Sequence, residues 1–413
     1  MISQLEDILG AGHRVLTYVL MGRPHHRPGT PPVISTAIAN DAVRLMRDHL
    51  TAMRRDVGKR KLKLGLFLVS NGGVTSVPWR IVSAIREFAS EYNVLVPERA
   101  MSAATLLCLA ADNIYMGPTG QLGPIDPTIA NHPLLPRAEK TGKRGPNVTS
   151  DTVQCPVSVE DVTGYLAFVK EKWGISGEPE LATTLAMLTE QVPALLIGIV
   201  NRQHSYIRMV AEKLLRSRKH KMTDKSIERI IQALIQDVTF HGHAISRTEA
   251  RRDLRLHIAS HPKKRTLDKQ MWKLFTEYEK DLMDNQPFAP TEAMENWADG
   301  KFPFDTGDFP LGAIESRYAA HVFTARFKVE RIRQQAPDLK LTLQLPPGID
   351  PQKVDPQQLQ QLINQLLGSI GPAVQQAIKQ QMPVEGTRAR QIKAEWGKVR
   401  PRQAQGDPPR SSP

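Results

Sequence analysis

Apolar residues in the first third of the chain fall into two alternating habits, short unbroken runs and one-sided repeats. Leu62–Ser70 (LKLGLFLVS), Val94–Pro97 and Ile114–Met116 are short runs of strand length. Between them Val77–Tyr92 reads as a helix. Ser102–Asp112 (SAATLLCLAAD) is small and apolar on nearly every face, the mark of a buried helix. Upstream, Ala37–Arg55 repeats Ala39, Val43, Met46, Leu50 and Met53 at helical spacing. The order strand–helix–strand–helix–strand predicts a parallel sheet with helices packed on it, an α/β fold.

The rest of the chain reads differently. Residues 1–35 open with an amphipathic piece and continue into a Pro/Gly-rich connection, HHRPGTPP. Residues 128–158 are loop-like. Ser158–Gly174, Pro179–Lys219 with a break at Pro193, Thr223–Val238, Ser246–Leu256 and Lys269–Met283 read as helices. Asp299–Leu311 reads as a loop. From Pro337 the chain is Gln/Pro-rich, and within it Gln357–Gln381 has the spacing of an amphipathic helix before an end that reads as disordered. The expected division is an N-terminal helical and linker segment (1–60), the α/β domain (61–260), a helical extension (261–336) and the Gln/Pro-rich tail (337–413).

Composition narrows the class. The chain has 413 residues, 40% of them hydrophobic, enough for a sizeable core. The longest apolar runs, such as Val192–Val200, are too short to span a bilayer. The opening MISQLEDILGAGHRV lacks a charged stretch followed by a long apolar one, so no secretory signal is read. Cys108 and Cys155 make no disulfide or zinc framework. These features point to the cytoplasm, with peripheral membrane contact left open. The net charge of +13 reads as a solvated basic surface, and with no finger, RNP or KH signature nucleic acid is not an expected partner. His241 and His243 have no third ligand beside them, so no metal is expected. No cofactor is expected either.

Chemistry concentrates in Val96–Pro127, VPERAMSAATLLCLAADNIYMGPTGQLGPIDP. Ser102 stands between a strand and an Ala-rich helix, where unpaired N–H groups and the helix dipole favour negative charge. A serine attacking a carbonyl creates an oxyanion that needs such donors. Taken alone, a serine there is an N-cap. Asn71-Gly72-Gly73-Val74 follows the strand FLVS, and its paired glycines free backbone N–H groups to face a ligand. Two strand ends, each with a small-residue turn, would then converge on one carbonyl oxygen.

At these residues the chain resembles the serine dehydrogenase proteinase family, relatives of signal peptide peptidase A within the Clp-protease/crotonase superfamily. The resemblance is carried by Val96-Pro97, Ala100–Leu106, Leu109–Asp112, Ile114, Met116-Gly117 and Leu122–Pro127, and further by 198–215 and 241–250, within residues 60–260. It implies a Clp-protease/crotonase-like spiral of βαβ units with added helices, and a cofactor-free serine peptidase acting on protein or peptide as a homo-oligomer. Ser102 matches the nucleophile. Ala103 and Gly73, helped by Gly72, match the oxyanion hole. Two departures stand out: Ser70-Asn71-Gly72-Gly73 lacks the proline of a Thr-Pro-Gly-Gly turn, and alanines replace the two glycines after Ser102.

The base is left open. A serine hydroxyl needs a partner to take its proton. The position at which Clp proteases carry histidine falls on Gly123–Pro127, which has Asp126 and no histidine. Asp126 reads as site-lining. His132 lies just beyond it. Relatives of signal peptide peptidase use a desolvated lysine. Candidates are Lys143, Lys170, Lys172 and His204, with Lys140 beside Lys143. The missing base also leaves a non-catalytic scaffold as the alternative, and crotonase-type acyl-CoA chemistry as a more distant one.

Overall fold

The computed structural model describes residues 1–21, 36–125, 128–129, 132–139, 152–155, 157–237, 242–282, 303–305, 308–333, 357, 360–361, 364 and 384–401. The chain begins with helix α1 (Ile2–Leu9) and strand β1 (His13–Leu20), then α2 (Asp41–Val57), β2 (Lys63–Val69), α3 (Val77–Phe88), β3 (Glu91–Val96), β4 (Arg99–Ala100), α4 (Ala103–Leu109), β5 (Asn113–Met116) and β6 (Gln121–Leu122). Short strands β7 (Thr128–Ile129), β8 (Arg137–Glu139), β9 (Thr152–Gln154) and β10 (Val157–Ser158) lead to α5 (Val159–Glu171), α6 (Glu178–Gln191), α7 (Ala194–Arg216) and α8 (Asp224–Gln232), which runs on as a π-helical turn to Asp237. Then come β11 (Ile245–Ser246), α9 (Arg247–Arg252), α10 (Lys264–Leu282), β12 (Phe304–Asp305), β13 (Phe309–Glu315), β14 (Ala320–Arg333) and β15 (Val384–Val399).

Strands β1, β2, β3 and β5 pair in parallel, in that spatial order; for β2, β3 and β5 the alternation of apolar runs and helices predicts it. Their near-continuous apolar sequence follows from burial on both faces. Side chains divide by parity. Leu16, Tyr18, Leu20, Leu64, Leu66, Leu68, Tyr92, Val94 and Val96 enter the larger core with α2, α3, α4, α7 and α8. Val15, Val19, Phe67, Val69 and Leu95 face the other way, onto α1 and α10. Polar groups within that second layer are satisfied locally. Thr17 Oγ1 lies 2.9 Å from the Tyr278 hydroxyl, which donates to Glu315 Oε2 at 2.7 Å.

Several expectations are corrected. His13–Leu20, read as part of an amphipathic opening, is a strand in mid-sheet, and its pairing with β2 crosses the boundary drawn at residue 60. The helix expected to reach Tyr92 stops at Phe88, because Glu91–Val96 is drawn into the ladder beside β2. The stretch read as a helical extension holds α10 and then three antiparallel strands, β12, β13 and β14, which widen the sheet beyond β1. Val384–Val399, in the segment read as disordered, pairs along the whole of β14. Most of the amphipathic stretch 357–381 lies outside the described residues.

A second, small sheet positions the site. Strand β4 pairs in parallel with β6, and β6 antiparallel with β11. This sheet is sewn to the first at the end of β2: Ser70 N–H donates to Arg99 O (3.1 Å) and Met101 N–H donates to Ser70 O (2.9 Å). On the far side α5, α6 and α7 carry a satellite core built on Ile129, Leu135, Val157, Val162, Leu196 and Val200. Pro193 divides α6 from α7, which meet at 97°. No single described helix is long and apolar enough to cross a membrane; this bent pair passes only when taken together.

Candidate active site

Two turns meet at the C-terminal ends of β2 and β4. The β2 turn is drawn in by its own side chains, with Gly72 N–H donating to Ser70 Oγ at 3.0 Å. Gly72 has φ +110°, a region that L side chains avoid. A methyl group added there would stand 2.8 Å from Ser102 Cβ and 2.9 Å from Met101 O, so only glycine lets the turns approach. Gly73 (φ +154°) forms a parallel bridge with Ile38, in which Ile38 N–H donates to Gly72 O and Val74 N–H to Ile38 O, each at 2.8 Å. In such a bridge the N–H of Gly73 itself points away from Ile38.

Ser102 immediately precedes α4 in the short turn from β4, with φ 50° and ψ −116°. It and Arg255 are the non-glycine residues at positive φ among those described. This conformation costs about 1–3 kcal/mol and persists only where the surroundings impose it. Strained strand-to-helix turns of this kind are how several hydrolase folds present a serine. The simple N-cap reading is not met, because the Ser102 side chain makes no capping bond. Ser102 is half-buried. Ala103 N–H, the first of α4, has no acceptor within its own helix.

The floor of the turn is rigid. Thr105 Oγ1 sits 2.7 Å from Ala100 O and 2.9 Å from Gly123 O, and accepts from Gly123 N–H at 3.0 Å. All of α4 is buried. Arg99 Nε donates to Asn71 Oδ1 at 2.8 Å, tying β4 to the turn that holds Gly72 and Gly73. The guanidinium restrains Asn71 from outside. Sequence spacing gives no sign of this pair, since 28 residues separate the partners.

Other predicted residues are scattered. His204 lies half-buried on α7, a helix that packs against α4, and burial with a contribution from Arg208 lowers its imidazole pKa. No hydrogen bond joins it to Ser102. Lys170 and Lys172 are solvent-exposed at the end of α5 and just beyond it. Lys140, Lys143, Asp126 and His241 lie outside the described residues. His132 holds its own turn, Nδ1 accepting from Leu134 N–H at 3.2 Å. His243, the second histidine of the HGH sequence, pairs with Glu249 at 2.8 Å. Among the described residues no three His, Cys, Asp or Glu side chains are grouped to hold a metal.

Comparison with known proteins bears on this site. Residues 38–163, which contain both turns, match the family described as ClpP-like SDH-type serine proteinase. The resemblance seen in the sequence is thus met over that stretch, and the parallel-rich α/β topology agrees with it. Two uncharacterized proteins of Methanocaldococcus jannaschii are similar: one is 29% identical over 129 residues, 30% of this chain and 44% of the relative. The other is 28% identical over 128 residues, 30% of this chain and 45% of the relative. The chain therefore matches less than half the length of either. A solved structure of a serine-to-alanine mutant of the 1510-N membrane-bound stomatin-specific protease aligns at TM-score 0.30 and 13% identity, covering 56% of this chain and 79% of that one. That score is too low to bear on the fold.

Proposed function

We propose that the protein is a serine peptidase whose nucleophile is Ser102. The observation that carries this reading is the strained Ser102 turn, held against Gly72 with its hydroxyl free of capping. Ser102 Oγ attacks a peptide carbonyl carbon and passes its proton to a base. The carbonyl oxygen becomes an oxyanion received by the N–H groups of Ala103 and Gly73, donors of the backbone that need no reorganisation. The amine then leaves with a proton returned by the base, and water hydrolyses the acyl-enzyme. The substrate class is protein or peptide.

The base approaches from outside the turn, because no described residue bonds to Ser102 Oγ. A lysine base must be desolvated, which disfavours the exposed Lys170 and Lys172. His204 and Lys143 stand ahead of them, His204 because its lowered pKa keeps the imidazole neutral near pH 7 and able to accept. Cleavage of unfolded casein by the wild type and its loss in Ser102→Ala tests the nucleophile. His204→Gln and Lys143→Met, assayed in parallel, assign the base.

The absence of a described partner on Ser102 Oγ also favours a second reading, a scaffold that keeps the fold without turnover. Fluorophosphonate labelling separates the two: a folded wild type that never labels at Ser102 supports the scaffold.

A further inference from the structure

A small recess opens between the end of β5, helix α9 and the first turn of α10. Its polar lining is almost entirely donors. Arg247 and Arg251 come from α9, Lys264 from α10, Tyr115 from β5 and His261 from the connection. Asp268 is the acid among them. At neutral pH three cations face one carboxylate.

The existing bonds leave most of these donors unspent. Arg247 Nη1 donates to Met116 O at 3.2 Å and lies 3.8 Å from Asp268 Oδ2. Arg251 Nη2 donates to Ile258 O at 3.1 Å. A guanidinium carries five N–H groups, so each arginine keeps several. Lys264 makes no hydrogen bond with its ammonium among the described residues. Lys263 N–H donates to His261 Nδ1 at 3.1 Å, which places the proton of the neutral ring on Nε2 and makes that nitrogen another donor. Lys264 also opens the 19-residue α10, whose first N–H groups and dipole add positive potential at the same end.

We infer that this recess binds a small oxyanion, a phosphate or a carboxylate, held by Arg247, Arg251 and Lys264 beside the α10 N-terminus. Acceptor-rich, planar or tetrahedral anions match guanidinium forks, whereas a cation would face net repulsion. The site is separate from Ser102, and the inference does not depend on peptidase activity. It does connect to Ser102 through structure: α9 continues from β11, which pairs with β6, which pairs with β4, the strand that ends at the Ser102 turn. The junction of β11 and α9 is fixed by a capping box between Ser246 and Glu249.

The test uses the full chain and inorganic phosphate, titrated at constant ionic strength against sodium chloride, with sodium acetate as a parallel arm. Expected is a saturable rise in the unfolding midpoint with phosphate and none with chloride, and isothermal titration giving the same Kd. An acetate response matching phosphate assigns a carboxylate ligand; a phosphate response alone assigns a phosphate group. Lys264→Gln and Arg251→Met should each weaken binding by about tenfold, the loss of one charge-assisted bond. Lys264 is at a helix start on the surface, so its variant folds even where Arg251→Met does not. An equal response to chloride, no response to either anion, or an unchanged Kd in Lys264→Gln overturns the inference.

Discussion

Gly72 lies so close to Ser102 that a Cβ on Gly72 would stand 2.8 Å from that of Ser102. The contact explains why the first turn needs its glycine even without the proline of the Thr-Pro-Gly-Gly turn it resembles. Gly72→Ala meets both a clash and an unfavourable φ, and should lower stability by about 1–3 kcal/mol from strain alone. Because relief of the clash moves Ser102, casein cleavage should fall further than the stability loss accounts for. Urea unfolding and activity measured on the same preparation check both.

Ser102 itself invites the opposite experiment. Its side chain caps nothing and its φ is 50°. Ser102→Gly should therefore stabilise the fold, by about 0.5–1 kcal/mol or more, while removing the nucleophile. Ser102→Ala keeps a Cβ at the strained position and should leave stability near that of the wild type. Chemical denaturation of the three proteins gives the order; a destabilised glycine variant contradicts the strain.

The restraint on Asn71 is predicted to matter for rate rather than for folding. Arg99→Met leaves the buried α4 and the Thr105 bonds in place but frees the turn carrying Gly73. Misplacement of an oxyanion donor by a fraction of an ångström should cost about ten- to a hundredfold in kcat. The melting point should change little. Equal losses in kcat and in folded fraction would show the pair to be merely structural.

How far these features could be read in the sequence depends on where their partners lie. The α4 run and the Gly72-Gly73 turn are legible because local composition alone demands a buried helix and a positive-φ turn. Strand β1 was not legible as such. Its Thr17 looks like a polar interruption, and the groups that satisfy it, Tyr278 and Glu315, are 261 and 298 residues away. Strand β14 did carry a signal, the alternation of Phe323, Ala325 and Phe327 with Thr324, Arg326 and Lys328, which the charged composition of the region obscured. Strand β15 is mostly exposed over residues 390–399 and owes its existence to pairing, including the Phe323–Trp396 ring contact across the ladder. The Ser102 backbone angle has no sequence signature at all, since a capping serine is spelled the same way.

Acid should loosen the C-terminal strands from α2. His49 is buried, with Nδ1 2.7 Å from Ser316 Oγ and Nε2 3.1 Å from His321 Nδ1. Burial first, then His321 and Lys398, push its pKa down from 6.5 to about 4. His321 is lowered too, by burial and Lys398 against the opposing pull of Asp48. The unfolded chain binds these protons first, so stability is complete above about pH 6.5 and is lost as pH falls toward 4. The His49 share of that loss is about 3 kcal/mol. His49→Asn, which can still bond Ser316, should flatten the profile between pH 7 and pH 4.5; an unchanged slope would assign the acid sensitivity elsewhere.

Two neighbouring arginines are predicted to differ in sign. Arg86 donates to both oxygens of the buried Asp112 at 2.9 Å each, and Asp112 also accepts from Tyr92 N–H at 2.9 Å and Lys219 N–H at 2.7 Å. Burial works to raise the Asp112 pKa, but these bonds outweigh it and hold the carboxyl below its usual range. Arg86→Met leaves that carboxylate without its counter-ion and should cost about 3–5 kcal/mol. Arg218 lies deeper than the partly buried Arg86, at 2% exposed, yet its Nε and Nη2 have no partner among the described residues. Asp112 is already fully bonded, so Arg218 adds a buried charge with little direct compensation. Replacing it by methionine, which fills similar space without charge, should raise stability by about 1–4 kcal/mol. Urea midpoints of Arg86→Met and Arg218→Met on either side of the wild type confirm the asymmetry, whereas two destabilised variants would mean that Asp112 needs both guanidinium groups.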